Sequence, residues 1–484
     1  VLRTVFPAVE GVPYQSVQSV ADALQGLDFG VVDGEADLLK AAMTGFDVTV
    51  DLPIRVRLLR ESEDTHLLLA VIHHIAGDGE SIGPLVRDMV VAYQARRDGG
   101  APELPPLPVQ FADFALWQRR VFGDVDDPTS VLGSQLAYWE QQLADLPDVI
   151  ELPTDRPRPP VASLRGEAID FTVPAHTASR IADLARAYGV TEFMLTHAVL
   201  AVLLSRLTGS GDIAIATPIA GRGRQVLDEL VGMFVNTLVL RTRLSEDDGF
   251  EAVLDQVRAT DLDALAHADV PFEYLVERLD PVRSEAFAPL SQVMLSFDQH
   301  DFGLTGEPGV GLVAELPGLT LETVNPGTDS AKVDLTFSVG TATQDGSWRG
   351  QIVYATDLFD GPSIEAIAGT FVALLDDLTT DPSLTVGSVS LLSDTARADL
   401  VSVSTGESRE LVPETVADVL AAGVARDRDA VALVFEGRSV SYGELSDRVA
   451  VLARALIDAG VGPDVAVGVC VPRSVDMVVA IHAV

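Results

Sequence analysis

The ten residues from Glu151 to Pro160, Glu-Leu-Pro-Thr-Asp-Arg-Pro-Arg-Pro-Pro, exclude helix. Each proline lacks an N–H and pushes the residue before it into extended backbone. They form an extended connector, which divides a mixed α/β first part from a second α/β unit. Before it, His66–Ile72 is a short apolar run with the pattern of a buried strand. That run passes into His73-His74-Ile75-Ala76-Gly77-Asp78-Gly79-Glu80-Ser81, where glycines break the period. Leu85, Val86, Met89, Val90 and Tyr93 then recur at helical spacing. A second Pro-rich stretch, Pro102–Pro108, crosses to helical patterns around Trp117 and Trp139.

After the connector, Ile169–Val173, Ile213–Thr217, Leu238–Arg241, Val333–Val339 and Gln351–Tyr354 read as strands. Thr177–Tyr188, Thr191–Leu207 and Ile364–Leu378 read as helices. A polar linker spans roughly Ser393 to Pro413. Beyond it Glu436-Gly437-Arg438 signals a hairpin, and an Ala/Leu-rich helix runs to Ala459.

The balance of 33 Lys+Arg against 72 Asp+Glu gives a net charge of −39. Such a surface repels phosphate backbones, so no nucleic-acid partner is expected. The acidity is spread through loops such as Asp124–Asp127 and reads as a solvated surface. One cysteine, Cys470, excludes a disulfide framework. No run of about 18 apolar residues escapes interruption, and no signal peptide is visible. A cytoplasmic location without a membrane partner is the expectation. The first residues, Val1–Phe6, read as the middle of an element, and the last lie inside an apolar helical pattern, so both ends read as cut.

The informative constellation is His73-His74 followed by Asp78-Gly79 where a strand leaves a sheet. Rigid elements on both flanks make that a usual place for reactive side chains. Adjacent histidines at a strand end point to opposite faces and rarely share an ion, and no HExxH or cysteine cluster supports zinc. The better reading has one histidine facing a cleft and the other packed inside. An imidazole ordinarily titrates near roughly 6.5 and can take a proton from an amine or hydroxyl. Asp78 is better placed to hold the loop through an arginine than to shuttle protons. Gly79 lets backbone approach a substrate closely. Trp117, Trp139 and Phe272 read as packing anchors. His66, His176, His197, His267, His300 and His482 lack chemical neighbours in the sequence.

His73–Gly79 resembles the HHxxxDG signature of the condensation domains of non-ribosomal peptide synthetases, relatives of chloramphenicol acetyltransferase. Leu2–Phe6 resembles the end of the family's RHExLRTxF segment, and Phe111–Trp117 its YxDFAxW motif. Val231–Thr237 is similar to VGxFVNT, and Asp269–Glu273 to the QDxPFE block. Residues 439–445, Ser-Val-Ser-Tyr-Gly-Glu-Leu, resemble the first motif of an adenylation domain. Two departures stand out. Glu80 occupies a position that is commonly aromatic, and the Arg-His-Glu expected before Leu2 is missing, which reads as truncation.

The resemblance implies an α/β fold of two chloramphenicol acetyltransferase-like lobes meeting at a V-shaped cleft, then a partial α/β adenylation segment. The implied bounds are 1–160 for an incomplete N-terminal lobe, 161–393 for the C-terminal lobe, 394–414 for the linker and 415–484 for the adenylation start. It implies peptide-bond formation, an acceptor amine attacking a donor thioester. Both arrive on the phosphopantetheine arms of upstream donor and downstream acceptor carrier proteins. No cofactor or metal is expected in this domain, and ATP with Mg only in a complete adenylation domain. Within that scheme His74 is the catalytic choice, His73 is structural, and Asp78 pairs with Arg222, with Arg3 as runner-up. Asn236 is placed either as a cleft hydrogen-bond donor or as a brace for a bulge or turn. The adenylation-like sequence that follows favours condensation over epimerisation, and a catalytically silent module that docks carrier proteins is the non-enzyme alternative.

Overall fold

The computed structural model describes residues 1–298, 314–316, 318–322, 324, 330–340, 343, 345–392, 394–408 and 415–484. His300 and the end of the expected linker, 409–414, lie outside them. The chain divides into two compact units, 1–394 and 395–484.

The first unit begins with short paired segments, β1 (Thr4–Val5) with β4 (Ser16–Val17) and β2 (Ala8–Val9) with β3 (Val12–Pro13), then helix α1 (Val20–Gly26). A three-stranded sheet follows, ordered β5 (Asp28–Val32), β6 (Ile54–Arg60), β7 (His66–Ile72). β5 and β6 are parallel, as their crossover through α2 (Glu35–Met43) requires, and β6 and β7 are antiparallel. Arg55 of β6 fastens α2 to this sheet, donating to Asp28 Oδ2 and to the carbonyls of Ala41 and Thr44. β7 is not buried on both faces as its apolar run suggested. Alternate residues are open, and Phe29, Val31 and Leu68 are 57%, 68% and 51% exposed. A run of leucines marks apolarity but does not say how many layers cover it.

Helices α3 (Ile82–Arg97), α4 (Phe111–Phe122) and α5 (Val131–Gln142) follow. Here the packing differs from the expected lobe boundary. Leu132, Leu136 and Trp139 of α5 are buried with Leu238, Val239, Leu240, Ala264 and Val270, so the residues after about 130 pack with the second half. The connector is extended, as its prolines dictate, but it is bound along its length. Asp155 N donates to Leu358 O, Arg156 Nη1 to the carbonyls of Thr356 and Phe359, and Arg158 pairs with Asp334.

The second half contains β8 (Gly166–Val173), α6 (Ala175–Tyr188), α7 (Glu192–Thr208), β9 (Asp212–Ile219), β10 (Asn236–Arg243), α8 (Phe250–Ala266), α9 (Phe272–Leu279) and β11 (Val293–Asp298). It continues with β12 (Ala314–Leu316) and β13 (Leu319–Leu321), an antiparallel pair, then β14 (Leu335–Gly340), β15 (Trp348–Ala355) and α10 (Gly361–Thr380). Six strands form one mixed sheet in the order β10-β9-β11-β14-β15-β8, with β11 parallel to both β9 and β14. β14 and β15 bury alternate residues, the period of a strand with one face on the core. α7 is buried from Met194 to Ser205, which explains its apolarity on every side. Thr191 caps its start by accepting from Met194 N, and Gly209 ends it at φ +70°.

No single helix among the described residues is long and apolar enough to cross a membrane. The pair α6 and α7, bent by 104°, passes on length and composition together, and the centre of α7 is core.

The segment expected to be a plain linker carries helix α11 (Asp394–Ser404), because Ala396, Ala398, Leu400 and Val401 favour helix over coil. The second unit contains α12 (Val416–Arg426), the hairpin β16 (Val431–Phe435) and β17 (Arg438–Ser441), α13 (Tyr442–Asp458) and α14 (Val475–Ala483). The hairpin turns on Glu436 and Gly437, both at positive φ. Val440, Leu445 and Val479 form its small core.

Candidate active site

β7 delivers the double histidine. His73 is still extended and half-buried; its N–H donates to Pro53 O at 3.0 Å, and its Nδ1 accepts from Ile75 N at 3.1 Å. Its ring meets Phe46 edge-on, with centroids 6.0 Å apart, and Phe46 lies beneath the Arg55 guanidinium. His73 is therefore held on its inner side. His74 begins a tight turn, His74–Ala76, and its side chain is exposed. Among the described residues no hydrogen bond is made to its ring, whose two nitrogens remain available.

Asp78 caps the next turn, Gly79–Ser81, which leads directly into α3. Its carboxylate is saturated. Oδ1 accepts from Ser81 N at 3.0 Å, Ser81 Oγ at 2.7 Å and Arg222 Nη2 at 3.0 Å. Oδ2 accepts from Arg222 Nη1 at 2.9 Å and Phe234 N at 2.9 Å. The side chains of Asp78 and Arg222 are 3% and 6% exposed. Burial works against the charge on Asp78, but the hydrogen bonds from Arg222, Ser81 and Phe234 outweigh it and hold the carboxyl below its ordinary value. Arg222 also donates to Leu230 O and stacks over the Phe234 ring, 4.4 Å from its centroid, while its Nε has no partner.

The partner segment, 221–234, is shaped to make this contact. Gly221 sits at φ +64°, and a Cβ there would lie 1.9 Å from Phe234 O. At Gly232 a Cβ would lie 2.3 Å from the Phe111 ring, which packs edge-on against Phe234 at 5.1 Å. The YxDFAxW helix α4 thus backs the VGxFVNT segment, and that segment backs Asp78.

The other expected residues fall as follows. Arg3 is exposed, donates to Gln18 O and takes no part in the Asp78 pair. Asn236 is not a cleft donor. Nδ2 donates to Ala268 O at 3.0 Å and Val270 O at 2.7 Å, and Oδ1 accepts from Thr237 N and Phe272 N, so its side chain is committed to bracing the 268–272 loop. Gly79 is exposed, and a Cβ there would meet nothing within 4 Å, so packing inside the protein does not demand glycine. Trp139 is an anchor, fully buried and donating to His267 O at 2.8 Å. His267, read as lacking chemical neighbours, stacks on Tyr138 with centroids 3.8 Å apart.

Two features escaped the sequence reading. Ser81 stands three residues after a capping Asp, a spacing that signals reciprocal capping and could have singled it out. His197, also read as having no chemical neighbour, is fully buried with Nδ1 2.9 Å from Asp261 Oδ1, joining α7 to α8. Sixty-four residues separate the two, so no local pattern reveals the pair. No three His, Cys, Asp or Glu side chains among the described residues are grouped as a metal site.

Residues 1–401 match the family model described as a condensation domain, and residues 420–484 match the AMP-binding enzyme model. An isonitrile lipopeptide synthase of Mycobacterium tuberculosis is 41% identical over 500 residues, covering 100% of this chain and 19% of that protein. A crystal structure of a four-domain nonribosomal peptide synthetase bound to AMP and glycine superposes with TM-score 0.76 at 25% identity, covering 95% of this chain and 35% of that one. The X-domain of teicoplanin biosynthesis, in complex with OxyB, superposes with TM-score 0.72 at 31% identity, covering 81% of this chain and 85% of that one. The chain spans 6%, 19% and 20% of the lengths of three curated relatives. With the Asp78–Arg222 lock built from the HHxxxDG and VGxFVNT segments, these matches show that the chain belongs to the condensation-domain family of nonribosomal peptide synthetases and passes, from residue 420, into the start of an AMP-binding enzyme domain.

Proposed function

We infer that residues 1–401 join two carrier-bound acyl groups through a peptide bond, with His74 as the catalytic residue. The observation that carries this reading is the division of labour in the histidine turn. His73 is pinned, Asp78 is saturated inside the fold, and His74 stands exposed between them with both ring nitrogens available. In the reaction the acceptor amine attacks the carbonyl carbon of the donor thioester, a C–N bond forms, the C–S bond breaks, and the donor arm departs as a thiol. The proton released by the amine passes to the His74 imidazole and on to the departing sulfur. General base catalysis of this kind contributes roughly 10²–10⁴-fold, and holding both arms in register contributes several kcal/mol more. Phosphopantetheine enters as part of the substrates on donor and acceptor carrier proteins, and ATP with Mg serves the complete adenylation domain. Gly79, open on its outer side, leaves backbone free to lie against a substrate arm.

The test is dipeptidyl-thioester formation by the natural full-length protein from carriers preloaded with a panel of amino acids, read by mass spectrometry. Wild-type protein should join at least one pair, and His74→Ala should lose at least about a hundredfold in rate with an unchanged melting curve. Near-normal turnover by His74→Ala removes His74 from the mechanism. Failure of the wild type on every pair would leave carrier docking without chemistry as the reading to pursue.

A further inference from the structure

We propose that the Ser81 hydroxyl is a positioning residue for the histidine turn, fixing the register between the His73–Ser81 segment and the backbone at Gly232. The proposal rests on the role given to His74 above. Ser81 is 1% exposed, and its Oγ lies among five polar partners. It is 2.7 Å from Asp78 Oδ1, 2.9 Å from Gly232 O, 3.1 Å from Gly232 N, 3.2 Å from Asp78 N and 3.2 Å from Arg222 Nη2. A hydroxyl has one hydrogen and two lone pairs, so it cannot satisfy all five at once. Asp78 already receives four other hydrogen bonds, whereas Ser81 Oγ is the partner printed on both the N–H and the C=O of Gly232. The Arg222 ion pair supplies attraction between the two segments but tolerates sliding, since the guanidinium also donates to Leu230 O. Ser81 supplies the fixed point. It grips both polar groups of one residue, and that residue cannot shift away because its Cα is packed against the Phe111 ring.

From this grip the turn runs back five residues through Gly79, Asp78, Gly77 and Ala76 to His74 and Ile75. Asp78 N donates to Ser81 Oγ and Ser81 N to Asp78 Oδ1, so a displacement at Ser81 is carried to Asp78 directly. Ala76 is fully buried and transmits it to the first turn, where Gly77 N donates to His74 O. Loss of the hydroxyl should therefore misplace the exposed imidazole while leaving the substrate-facing surface intact. A misplacement of about 1 Å costs roughly a hundredfold in rate.

Two measurements on the natural full-length protein test this. In the first, hydrogen exchange followed by mass spectrometry compares wild type with Ser81→Ala and Ser81→Cys, without substrate. Both variants should exchange faster over residues 74–81 and 230–234, with melting temperatures close to wild type. Cys fits nearly the same volume, so it serves where Ala fails to fold. In the second, the donor–acceptor pair that wild type joins is used for kinetics. Ala and Cys should lower kcat by roughly a hundredfold with KM little changed, and Ser81→Thr, which keeps the hydroxyl, should recover much of the loss. Unchanged exchange at 230–234 in Ser81→Ala overturns the grip itself. Faster exchange with unchanged kcat overturns its consequence for His74. A wild type that joins no pair refutes the reading of His74, while the exchange data still decide whether Ser81 sets the register.

Discussion

Replacing Asp78 by alanine removes the acceptor of five hydrogen bonds and leaves a buried guanidinium facing Ser81 Oγ and Leu230 O alone. Arg222 Nε is already without a partner, so the cation has little to fall back on. Breaking one side of a buried ion pair costs about 3–5 kcal/mol. The first unit contains residues 1–394. At about 2.1 cal/mol/K per residue its unfolding entropy near 60 °C is about 0.8 kcal/mol/K, so the melting temperature should fall by about 4–6 °C if it unfolds as one cooperative unit. Scanning calorimetry on Asp78→Ala measures this directly. Asp78→Ala combined with Arg222→Leu should be no less stable than Asp78→Ala alone, because the uncompensated charge is gone. The pH dependence has a definite sign. Because the folded carboxyl is held below its ordinary value of 3.8, the pair's contribution is fully present above about pH 4. It is lost as the pH falls through the lowered folded-state value, and the alanine variant should lack that part of the acid transition. An unchanged melting temperature with abolished peptide-bond formation would refute the structural role and give Asp78 a direct part in the chemistry.

Other substitutions separate bracing from chemistry. Asn236→Ala strands the Phe272 N–H and the carbonyls of Ala268 and Val270, and should lower stability by about 1–3 kcal/mol in denaturant titration. Gly79→Ala should leave the melting temperature unchanged, since its Cβ meets open space, and any fall in turnover would then report on the substrate arms. Gly221→Ala should do the reverse, lowering the melting temperature markedly, because a Cβ at φ +64° collides with Phe234 O.

Much of the second half was legible because its periods are clean. The alternation in 335–339 and 351–354 and the capped apolar stretch beginning at Thr191 lead directly to β14, β15 and α7. The first half was less so. The apolar run at His66–Ile72 is a strand, but its sequence does not say that one face is open. The extended connector was read from its prolines, whereas the allegiance of α5 depends on where Trp139 packs, across 128 residues from its acceptor, His267 O. At the site, the residue types at 73, 74 and 78 carry a chemical argument on their own. The choice of Arg222 over Arg3 came from family resemblance, since nothing local distinguishes two arginines that far from Asp78. The fate of Asn236 was decided by four contacts spread over 36 residues, which no spacing rule encodes.

The separation between Asp78 and its partners also has a consequence in time. The histidine turn is synthesised 144 residues before Arg222 and 156 before Phe234. At about 5–20 residues per second, roughly 8–30 s pass between the emergence of Asp78 and that of Phe234. Through that interval the nascent turn has neither its counter-ion nor its backbone donor, and Ser81 has no Gly232 to hold. A ribosome paused anywhere before residue 234 carries the complete histidine motif without the scaffold that orients it. The order of translation thus keeps the exposed imidazole unaligned until the strand that follows Phe234 can join the sheet.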